Sequence, residues 1–265
     1  MAYVVNCKIT AQQEVAPEHR RMVLRAPDIA ANAAPGHFCM LEVREGAAPF
    51  LRRPMSIERI FADGISVLYK IVGEGTQMLA GLQAGSFINL QGPLGNTFPL
   101  DASKRRAVLV AGGIGVAPMV GLAEAIMAAN GRAPEVILAA RTEQQLLCRT
   151  EFAQMGCAVT LATDDGSAGF KGFAADCLRL FELDADAVVY ACGPTLMMRS
   201  VHEICVEAGA RCYASLEAKM ACGDGVCMGC VVETNAENEF GKMARVCREG
   251  PVFDTTEIRW STYEF

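Results

Sequence analysis

The first hundred residues show short runs of β-branched and aromatic residues separated by glycine and proline turns. Clear examples are the segments 38–43, 65–72 and 87–90. Several short strands at this spacing are typical of a small antiparallel barrel. The pattern therefore predicts an antiparallel β-barrel domain over residues 1–102.

After residue 106 the pattern changes to alternating strands and helices. Short apolar runs rich in Val and Ala predict strands at 107–111, 135–140, 158–162, 187–191 and 211–215. Longer runs predict helices at 116–129, 143–155, 173–181 and 195–208. This alternation is typical of a parallel sheet with crossover helices, so we expect an α/β domain over 103–215. A third, smaller segment, 216–265, holds a cysteine loop, a hairpin and an irregular tail.

Composition narrows the class of protein. The chain has 265 residues, 52% of them hydrophobic and 20% charged, which suffices for more than one buried core. A net charge of −6 argues against nucleic acid or an anionic membrane as partner. The N-terminus lacks the basic and apolar regions of a signal peptide. The uncharged stretch 107–123 is broken by four glycines and Pro118, so we expect a cytoplasmic protein without a membrane span.

Four of the twelve cysteines lie near the C-terminus with a distinctive spacing. Cys222, Cys227 and Cys230 form a Cys-x4-Cys-x2-Cys run whose glycines allow tight turns, and Cys247 follows. This is the plant-type spacing of four thiolates around a 2Fe–2S cluster. Structural zinc also uses four cysteines, usually in two CxxC pairs, and only one such pair is present. The spacing favours an iron–sulfur cluster, with zinc as the alternative.

A glycine turn follows the first strand of the predicted parallel sheet. Gly113-x-Gly115-x-x-Pro118 lies between that strand and a helix, where free N–H groups and the helix dipole can hold a diphosphate. Proline suits the first turn of the helix. The motif is not the full dinucleotide fingerprint, and Arg141 stands near the end of the second strand in place of an acidic residue. A tight turn without a ligand is the alternative.

A second turn has the sequence Cys192-Gly193-Pro194 at the end of another strand. The carboxyl ends of parallel strands share one edge of a sheet, where ligands bind in open α/β folds. Asp164 and Asp165 end the strand at 158–162 and either line the same crevice or form a turn. Both glycine turns therefore predict one nucleotide crevice.

The barrel segment contains the run Arg52-Arg53-Pro54-Met55-Ser56. An arginine can fork onto a diphosphate and a serine hydroxyl can reach a flavin nitrogen, although arginine pairs are often surface residues. Arg-x-x-Ser, Gly-x-Gly-x-x-Pro and Cys-Gly-Pro in this order resemble the ferredoxin–NADP reductase superfamily over residues 1 to about 215. The cysteine segment, with its preceding Ser-Leu-Glu and later Cys-x-Glu-Gly-Pro-Val-Phe, is similar to the electron-transfer subunit family of dihydroorotate dehydrogenase B, and that similarity spans the chain.

The resemblance implies a domain and a set of residues for each cofactor. The barrel would bind FAD, the α/β domain NAD, and the segment 216–265 a 2Fe–2S cluster. The FAD-binding residues would be Arg53, Pro54, Met55, Ser56, Lys70, Ile71, Val72, Gly75 and Thr76. The nicotinamide crevice would use Gly112, Gly113, Gly115, Cys192, Gly193 and Pro194. The cluster ligands would be Cys222, Cys227, Cys230 and Cys247. The superfamily often has tyrosine where this chain has Met55.

The resemblance also implies a partner. Dihydroorotate would be oxidised on a separate FMN-containing catalytic subunit, and this chain would carry the electrons through its cluster and FAD to NAD⁺ in pyrimidine biosynthesis. A heterotetramer with two copies of each subunit is expected. His19, His37 and His202 are scattered in the sequence, and no acid/base pair is evident. Trp260, Tyr263 and Phe265 form either a local core or a partner contact.

Two alternative functions stay open at this point. One is a sister electron-transfer subunit of a ferredoxin-dependent transhydrogenase, sulfide dehydrogenase or hydrogenase complex, although those relatives often replace the first ligand, which here is Cys222. The other is a zinc-stabilised nucleotide-binding scaffold without redox activity. The colour of the anaerobically purified protein separates the second from the first.

Overall fold

The computed structural model describes residues 2–43, 46, 48–100, 106–238 and 241–264. The predicted domain boundary at 102/103 and Phe265 lie outside these residues.

The N-terminal part is a closed six-stranded barrel in which all neighbouring strands are antiparallel, as predicted. Its strands are β1 (Tyr3–Ala16), β2 (His19–Arg25), β3 (Phe38–Leu41), β4 (Arg53–Phe61), β5 (Gly64–Lys70) and β6 (Phe87–Leu94), with two helices, α1 (Pro27–Ala30) and α2 (Glu74–Gly81). The order around the barrel is β1-β2-β5-β4-β3-β6. Alternate strand positions, such as Ile9, Leu24 and Ile65, fill the interior.

The second part is a parallel sheet with helices, as predicted. Its strands are β7 (Arg106–Gly112), β8 (Glu135–Ala140), β9 (Ala158–Thr163), β10 (Phe170–Lys171), β11 (Ala187–Cys192) and β12 (Arg211–Ser215). Its helices are α3 (Ala117–Asn130), α4 (Arg149–Gln154), α5 (Ala174–Leu178) and α6 (Thr195–Ala208). All residues of β11 are buried, because helices cover both faces of the sheet.

The C-terminal segment is attached to this sheet. It contains a hairpin of β13 (Val231–Asn238) and β14 (Gly241–Arg245), followed by β15 (Val252–Asp254). β15 pairs antiparallel with β12, which gives the order β10-β9-β8-β7-β11-β12-β15. Trp260 and Tyr263 pack locally, since both are less than 10% exposed and the Trp260 indole donates to the Thr255 carbonyl. The boundary at 215/216 stays a prediction.

One predicted helix was wrong. The segment 143–155 contains a 3-10 turn at Glu143–Gln145 and the short helix α4, and Cys148 between them has a φ of 58°. The helical pattern is broken because Leu147 and Cys148 turn inward and are buried. The Cys148 Sγ lies 3.6 Å from Nη2 of Arg21, a barrel residue 127 positions away. A tertiary contact therefore overrides the local helical preference.

The barrel and the sheet are docked through α3 and β4. A Cβ on Gly121 of α3 would lie 2.8 Å from the Glu58 carbonyl oxygen, so glycine allows this close approach. Arg59 of β4 forms an ion pair with Glu124 of α3. This docking fixes the crevice between the two parts. Among the described residues, no helix has both the length and the apolar character needed to cross a membrane.

Candidate functional site

A crevice of about 1030 Å³ lies at the carboxyl edge of the parallel sheet. The two glycine turns predicted from the sequence meet there, because Gly112, Gly113, Gly193 and Pro194 all line it. The other parts of the chain contribute as well. The lining residues from the barrel and the C-terminal segment are His19, Lys70, Glu217 and Tyr263. All three segments of the chain therefore meet at one site.

The glycine turns are packed against each other. A Cβ on Gly115 would lie 2.3 Å from the Cys192 carbonyl oxygen, and one on Gly193, whose φ is 152°, would lie 2.9 Å from the Gly112 Cα. Gly115 and Cys192 thus lie beneath the crevice and do not line it. Burial raises the pKa of the Cys192 thiol well above its usual range, so this thiol stays protonated. Gly113, with a φ of 56°, opens the turn that leads into α3.

The far end of the crevice carries charged and aromatic groups. Arg141 and Asp164 line it at the ends of β8 and β9, and Phe173, 65% exposed, lies beside them. Unlike Asp164, Asp165 does not line the crevice. Its carboxylate accepts from the Ser167 N–H at 2.9 Å and from the Ser167 hydroxyl at 2.6 Å. Of the two aspartates, one lines the crevice and the other forms a turn.

The Arg-x-x-Ser motif lies on β4, facing the start of α2. A Cβ on Gly75 would be 2.5 Å from the Arg53 Nε, so the absent side chain makes room for the guanidinium at the helix N-terminus. The Thr76 hydroxyl accepts from the N–H groups of Val72 and Gly73 at 2.9 and 3.1 Å. The structure therefore brings together motif residues that are about twenty positions apart in sequence.

The neighbouring residues of this motif differ in their surroundings. Arg52 donates to the Asn89 side chain at 2.6 Å and lies 3.7 Å from Glu42, which makes it part of the barrel wall. Met55 is half-buried and lies opposite Cys39 of β3. Val72 is 77% exposed, an apolar surface beside the motif. Arg53 donates from Nη1 to the Leu51 carbonyl, and its Nε and Nη2 face the start of α2 at Gly75.

The four C-terminal cysteines form two pairs. The Cys227 N–H donates to the Cys222 Sγ at 3.4 Å. The side-chain hydrogen bond between Cys230 and Cys247 lowers the pKa of Cys230 to about 6 and raises the pKa of Cys247. No three His, Cys, Asp or Glu side chains in the described ranges lie close enough to hold one metal ion. Two pairs of thiols fit a two-iron cluster, in which four cysteines serve two irons, better than one zinc ion.

The cysteine loop packs on the barrel. A Cβ on Gly223, whose φ is 76°, would lie 2.7 Å from Met40 Cγ and 3.3 Å from Leu94 Cδ1. Cys222 also lines a cavity of about 320 Å³ together with Leu51 and Arg52, which adjoin the Arg-x-x-Ser motif. The cysteine loop and the motif are therefore neighbours in space.

Glu217 and Tyr263 are two of the crevice residues that sequence reasoning did not identify. The Tyr263 hydroxyl accepts from the Glu217 N–H at 3.0 Å and donates to the Glu217 carbonyl at 2.9 Å. Burial raises the pKa of the Glu217 carboxyl group, which lines the crevice. The contact joins positions 46 residues apart, so no local sequence pattern indicates it.

A closed barrel, a parallel sheet with two glycine turns and a cysteine loop define an oxidoreductase of the ferredoxin–NADP reductase class. Residues 109–203 match the oxidoreductase NAD-binding domain family. Residues 217–259 match the iron–sulfur cluster binding domain of dihydroorotate dehydrogenase B. These matches confirm that the sheet is an NAD-binding domain and that the C-terminal segment binds an iron–sulfur cluster. The zinc alternative is therefore dropped.

Full-length relatives narrow the class to one family. The chain is 37% identical to the electron transfer subunit of dihydroorotate dehydrogenase B (NAD(+)) from Desulforamulus reducens, over 98% of this chain and 100% of that protein. It is 35% identical to the subunit of the same description from Bacillus mycoides, over 96% of this chain and 97% of that protein. The chain belongs to the family of dihydroorotate dehydrogenase B electron transfer subunits.

Solved structures agree with this fold. An NADH-dependent reduced ferredoxin-NADP oxidoreductase superposes with a TM-score of 0.83 at 26% identity, over 97% of this chain and 91% of that chain. The ferredoxin reductase of carbazole 1,9a-dioxygenase superposes with a TM-score of 0.69 at 19% identity, over 79% of this chain and 67% of that chain. The second comparison supports the fold alone.

Proposed function

We propose that this chain carries electrons from an FMN-containing dihydroorotate dehydrogenase catalytic subunit to NAD⁺, as a cytoplasmic component of pyrimidine biosynthesis. The observation that carries the proposal is the convergence of the three segments. The cysteine loop packs on the barrel beside the Arg-x-x-Ser strand, and the barrel residue Lys70 lines the nucleotide crevice. Electron transfer between cofactors needs this kind of proximity.

The residues of the barrel fit FAD. Arg53 and the first-turn N–H groups of α2 offer a cation and a helix N-terminus to a diphosphate, and the absence of a side chain at Gly75 lets the Arg53 guanidinium lie against the start of that helix. Ser56, Lys70, Ile71 and Val72 border the same region, where the exposed Val72 side chain offers an apolar surface. The other residues that we propose to bind FAD are Pro54, Met55 and Thr76. When bound, FAD supplies the exchange between two-electron and one-electron chemistry.

The crevice fits the dinucleotide. Gly112, Gly113 and Gly193 give a floor without side chains at the sheet edge, with Pro194 beside them, and the turn at Gly113 leads into α3. Gly115 and Cys192 support that floor from below, because their backbones are so close that a Cβ on Gly115 would lie 2.3 Å from the Cys192 carbonyl oxygen. Their role is to hold the nicotinamide half in one orientation and to exclude water beneath it.

The cysteine loop fits the cluster. We assign Cys222, Cys227, Cys230 and Cys247 as the ligands, because they form two thiol pairs in a loop of turns. The buried pair, Cys230 and Cys247, lies inside the segment, whereas Cys227 is exposed. With the cluster bound, the exposed Cys227 would leave this side of the site open to a partner subunit.

The histidines of the chain have structural partners, which supports oxidation of dihydroorotate elsewhere. His19 interacts with the Pro17 carbonyl at 2.7 Å, and His37 accepts from the Ala34 N–H at 2.9 Å. His202 bonds to the Thr255 hydroxyl and stacks on Trp260. Substrate chemistry is therefore assigned to the catalytic subunit, in a heterotetramer with two copies of each chain.

The proposal predicts a division of activities. The full chain, purified anaerobically, is expected to reduce dyes with NADH but to form no orotate from dihydroorotate. Co-expression with the catalytic subunit is expected to give a co-purifying complex that reduces NAD⁺ with dihydroorotate. Failure of the two chains to associate, or association with a transhydrogenase, sulfide dehydrogenase or hydrogenase subunit instead, would favour the sister-complex alternative.

We also predict a preference for NADH over NADPH, because the Asp164 carboxylate at the far end of the crevice repels a 2′-phosphate and can accept from a ribose hydroxyl. Replacing Asp164 by asparagine is expected to raise kcat/KM for NADPH by about tenfold, which corresponds to about 1.4 kcal/mol. Steady-state dye reduction with each nucleotide measures this ratio.

Asp165→Asn is the matched control, since the Asp165 carboxylate is held in a turn by Ser167. It should leave the ratio unchanged. A wild-type chain with higher kcat/KM for NADPH would overturn the preference and would point to Arg141 as a phosphate-binding residue.

A further inference from the structure

An exposed phenylalanine lines the far end of the nucleotide crevice. Phe173 follows the edge strand β10 and is 65% exposed. Large apolar side chains often lie singly on protein surfaces, and most of them need no explanation. This ring, however, lines the same concave site as Arg141 and Asp164. Its surroundings therefore indicate what it can bind.

The backbone holds Phe173 in place from both sides. The Gly172 N–H donates to the Thr163 carbonyl at 3.0 Å, and the Phe173 carbonyl accepts from the Cys177 N–H at 3.1 Å in the first turn of α5. Four buried residues anchor α5 in the core: Ala174, Ala175, Cys177 and Leu178. The exposed ring therefore extends from a fixed part of the chain.

Backbone hydrogen bonds also hold the neighbouring strand ends together. The Asp164 N–H donates to the Ala140 carbonyl at 3.1 Å, and the Asp165 N–H donates to the Arg141 carbonyl at 3.2 Å. Together with the bond from Gly172 to Thr163, they join the ends of β8, β9 and β10. Alanines at the end of β8 and the start of α5 also line the crevice and leave room for a flat group: Ala139, Ala140, Ala174 and Ala175.

The strand order assigns the two halves of the dinucleotide to different parts of the crevice. The glycine turns after β7 and β11 are proposed above to hold the nicotinamide half. Beyond β7 the sheet continues with β8, β9 and β10, whose ends carry Arg141, Asp164 and Phe173. On the other side, after β12, Glu217 and Tyr263 line the crevice. The adenosine half therefore extends toward Phe173.

We propose that Phe173 binds the adenine base of NAD by stacking on it, next to the ribose that Asp164 contacts. Stacking on an aromatic side chain is a common means of binding a base, because it uses the flat face that every base has. The inference rests on the placement of NAD in the crevice proposed above. Phe173 acts on the adenosine half alone, and hydride transfer at the other end does not involve it.

The test uses the full chain with its FAD and cluster bound, so that an added nucleotide meets the crevice and not the flavin site. Isothermal titration calorimetry measures the Kd of ADP-ribose, which carries the adenosine half without the nicotinamide. Phe173→Ala is expected to raise this Kd about tenfold, because the stacking contact is lost. Phe173→Tyr keeps a ring and should bind like the wild type. Phe87→Ala is the matched control, since Phe87 of β6 is 63% exposed and does not line the crevice.

Steady-state dye reduction separates the two halves of the dinucleotide. In Phe173→Ala, kcat/KM for NADH should fall about tenfold, in parallel with the loss of ADP-ribose binding. Reduced nicotinamide mononucleotide lacks the adenosine half, so its kcat/KM should stay at the wild-type value. Both values should be unchanged in Phe87→Ala.

An unchanged Kd of ADP-ribose in Phe173→Ala would overturn the inference. An equal loss of kcat/KM for both reduced nucleotides would overturn it as well, because Phe173 would then support the crevice as a whole. The same holds if Phe173→Tyr binds as weakly as Phe173→Ala, since a ring would then not be enough. A wild-type chain without affinity for ADP-ribose would reject both this inference and the nucleotide crevice, whereas pairing with a catalytic subunit is tested separately by co-purification.

Discussion

Replacing Cys230 by serine is expected to remove most of the iron from the chain and to abolish dihydroorotate-dependent reduction of NAD⁺ in the complex. Cys230 is 3% exposed and paired with Cys247, so no solvent ligand can easily take its place. Replacement of outer-shell groups alone costs metal sites about 10- to 100-fold, and loss of a ligand should exceed that. NADH-dependent dye reduction should persist, because the barrel and the crevice are unchanged.

The measurements are iron content, visible absorption, bound FAD and the two activities. Cys157→Ser is the matched control, because Cys157 is also buried, at 8% exposure, but belongs to the nucleotide domain after α4. Burial raises the pKa of Cys157 to about 11, so it is an unreactive core thiol. Full iron and an unchanged spectrum in Cys230→Ser would exclude it as a ligand. Iron loss in both variants would indicate unfolding and no specific ligation.

Several elements of the fold followed from the local sequence pattern alone. β8, β12 and α6 have the predicted limits, since the pattern of their apolar residues is enough to define them. The break at Cys148 could not be predicted, because its cause is an ion cluster supplied by the barrel. The pairing of β15 with β12 likewise depends on a contact between distant segments.

The motifs of the candidate site could be predicted from the sequence, but the residues that hold those motifs in place could not. Glycine spacing indicated the crevice, but it did not reveal that Gly115 packs on the Cys192 carbonyl instead of facing the ligand. The cysteine spacing indicated a cluster, yet it did not reveal that Gly223 packs on Met40 of the barrel. Tyr263 reaches the crevice only because the tail folds back onto Glu217. The positions of such residues depend on tertiary packing, which the periodicity of the sequence does not reveal.

A buried ion cluster also joins the two domains, in addition to the contact of α3 with β4. Glu58 is fully buried and accepts from Arg21 Nε at 2.9 Å, from Arg21 Nη2 at 2.7 Å and from the Ser66 hydroxyl at 2.9 Å. Arg21 Nη2 also donates to Glu151 of α4 at 2.7 Å. The guanidinium therefore joins barrel and sheet, and it neutralises a carboxylate that has no access to water.

Replacing Arg21 by methionine is expected to lower the free energy of unfolding by about 3–5 kcal/mol, because it leaves the Glu58 charge buried without a partner. Arg20→Met is the matched control. Its neighbouring ion pair with Glu14 is partly exposed, at 30% and 55%, so its loss should cost about 0–1 kcal/mol. Urea unfolding of the full chain, followed by circular dichroism, measures both.

A second substitution separates the effect of the unpaired charge on stability from the effect of lost packing. Adding Glu58→Leu to Arg21→Met removes the unpaired carboxylate, and much of the lost stability should return, because a buried ion pair replaced by apolar groups costs little. Hydride transfer from NADH should be slower than in the wild type in both the single and the double variant, since both lack the link from Arg21 to Glu151 that helps to hold the crevice between barrel and sheet. Equal, small losses in Arg20→Met and Arg21→Met would show that the buried cluster does not hold the domains together. Stability restored together with full hydride transfer would show that the contact of α3 with β4 is sufficient to position the crevice.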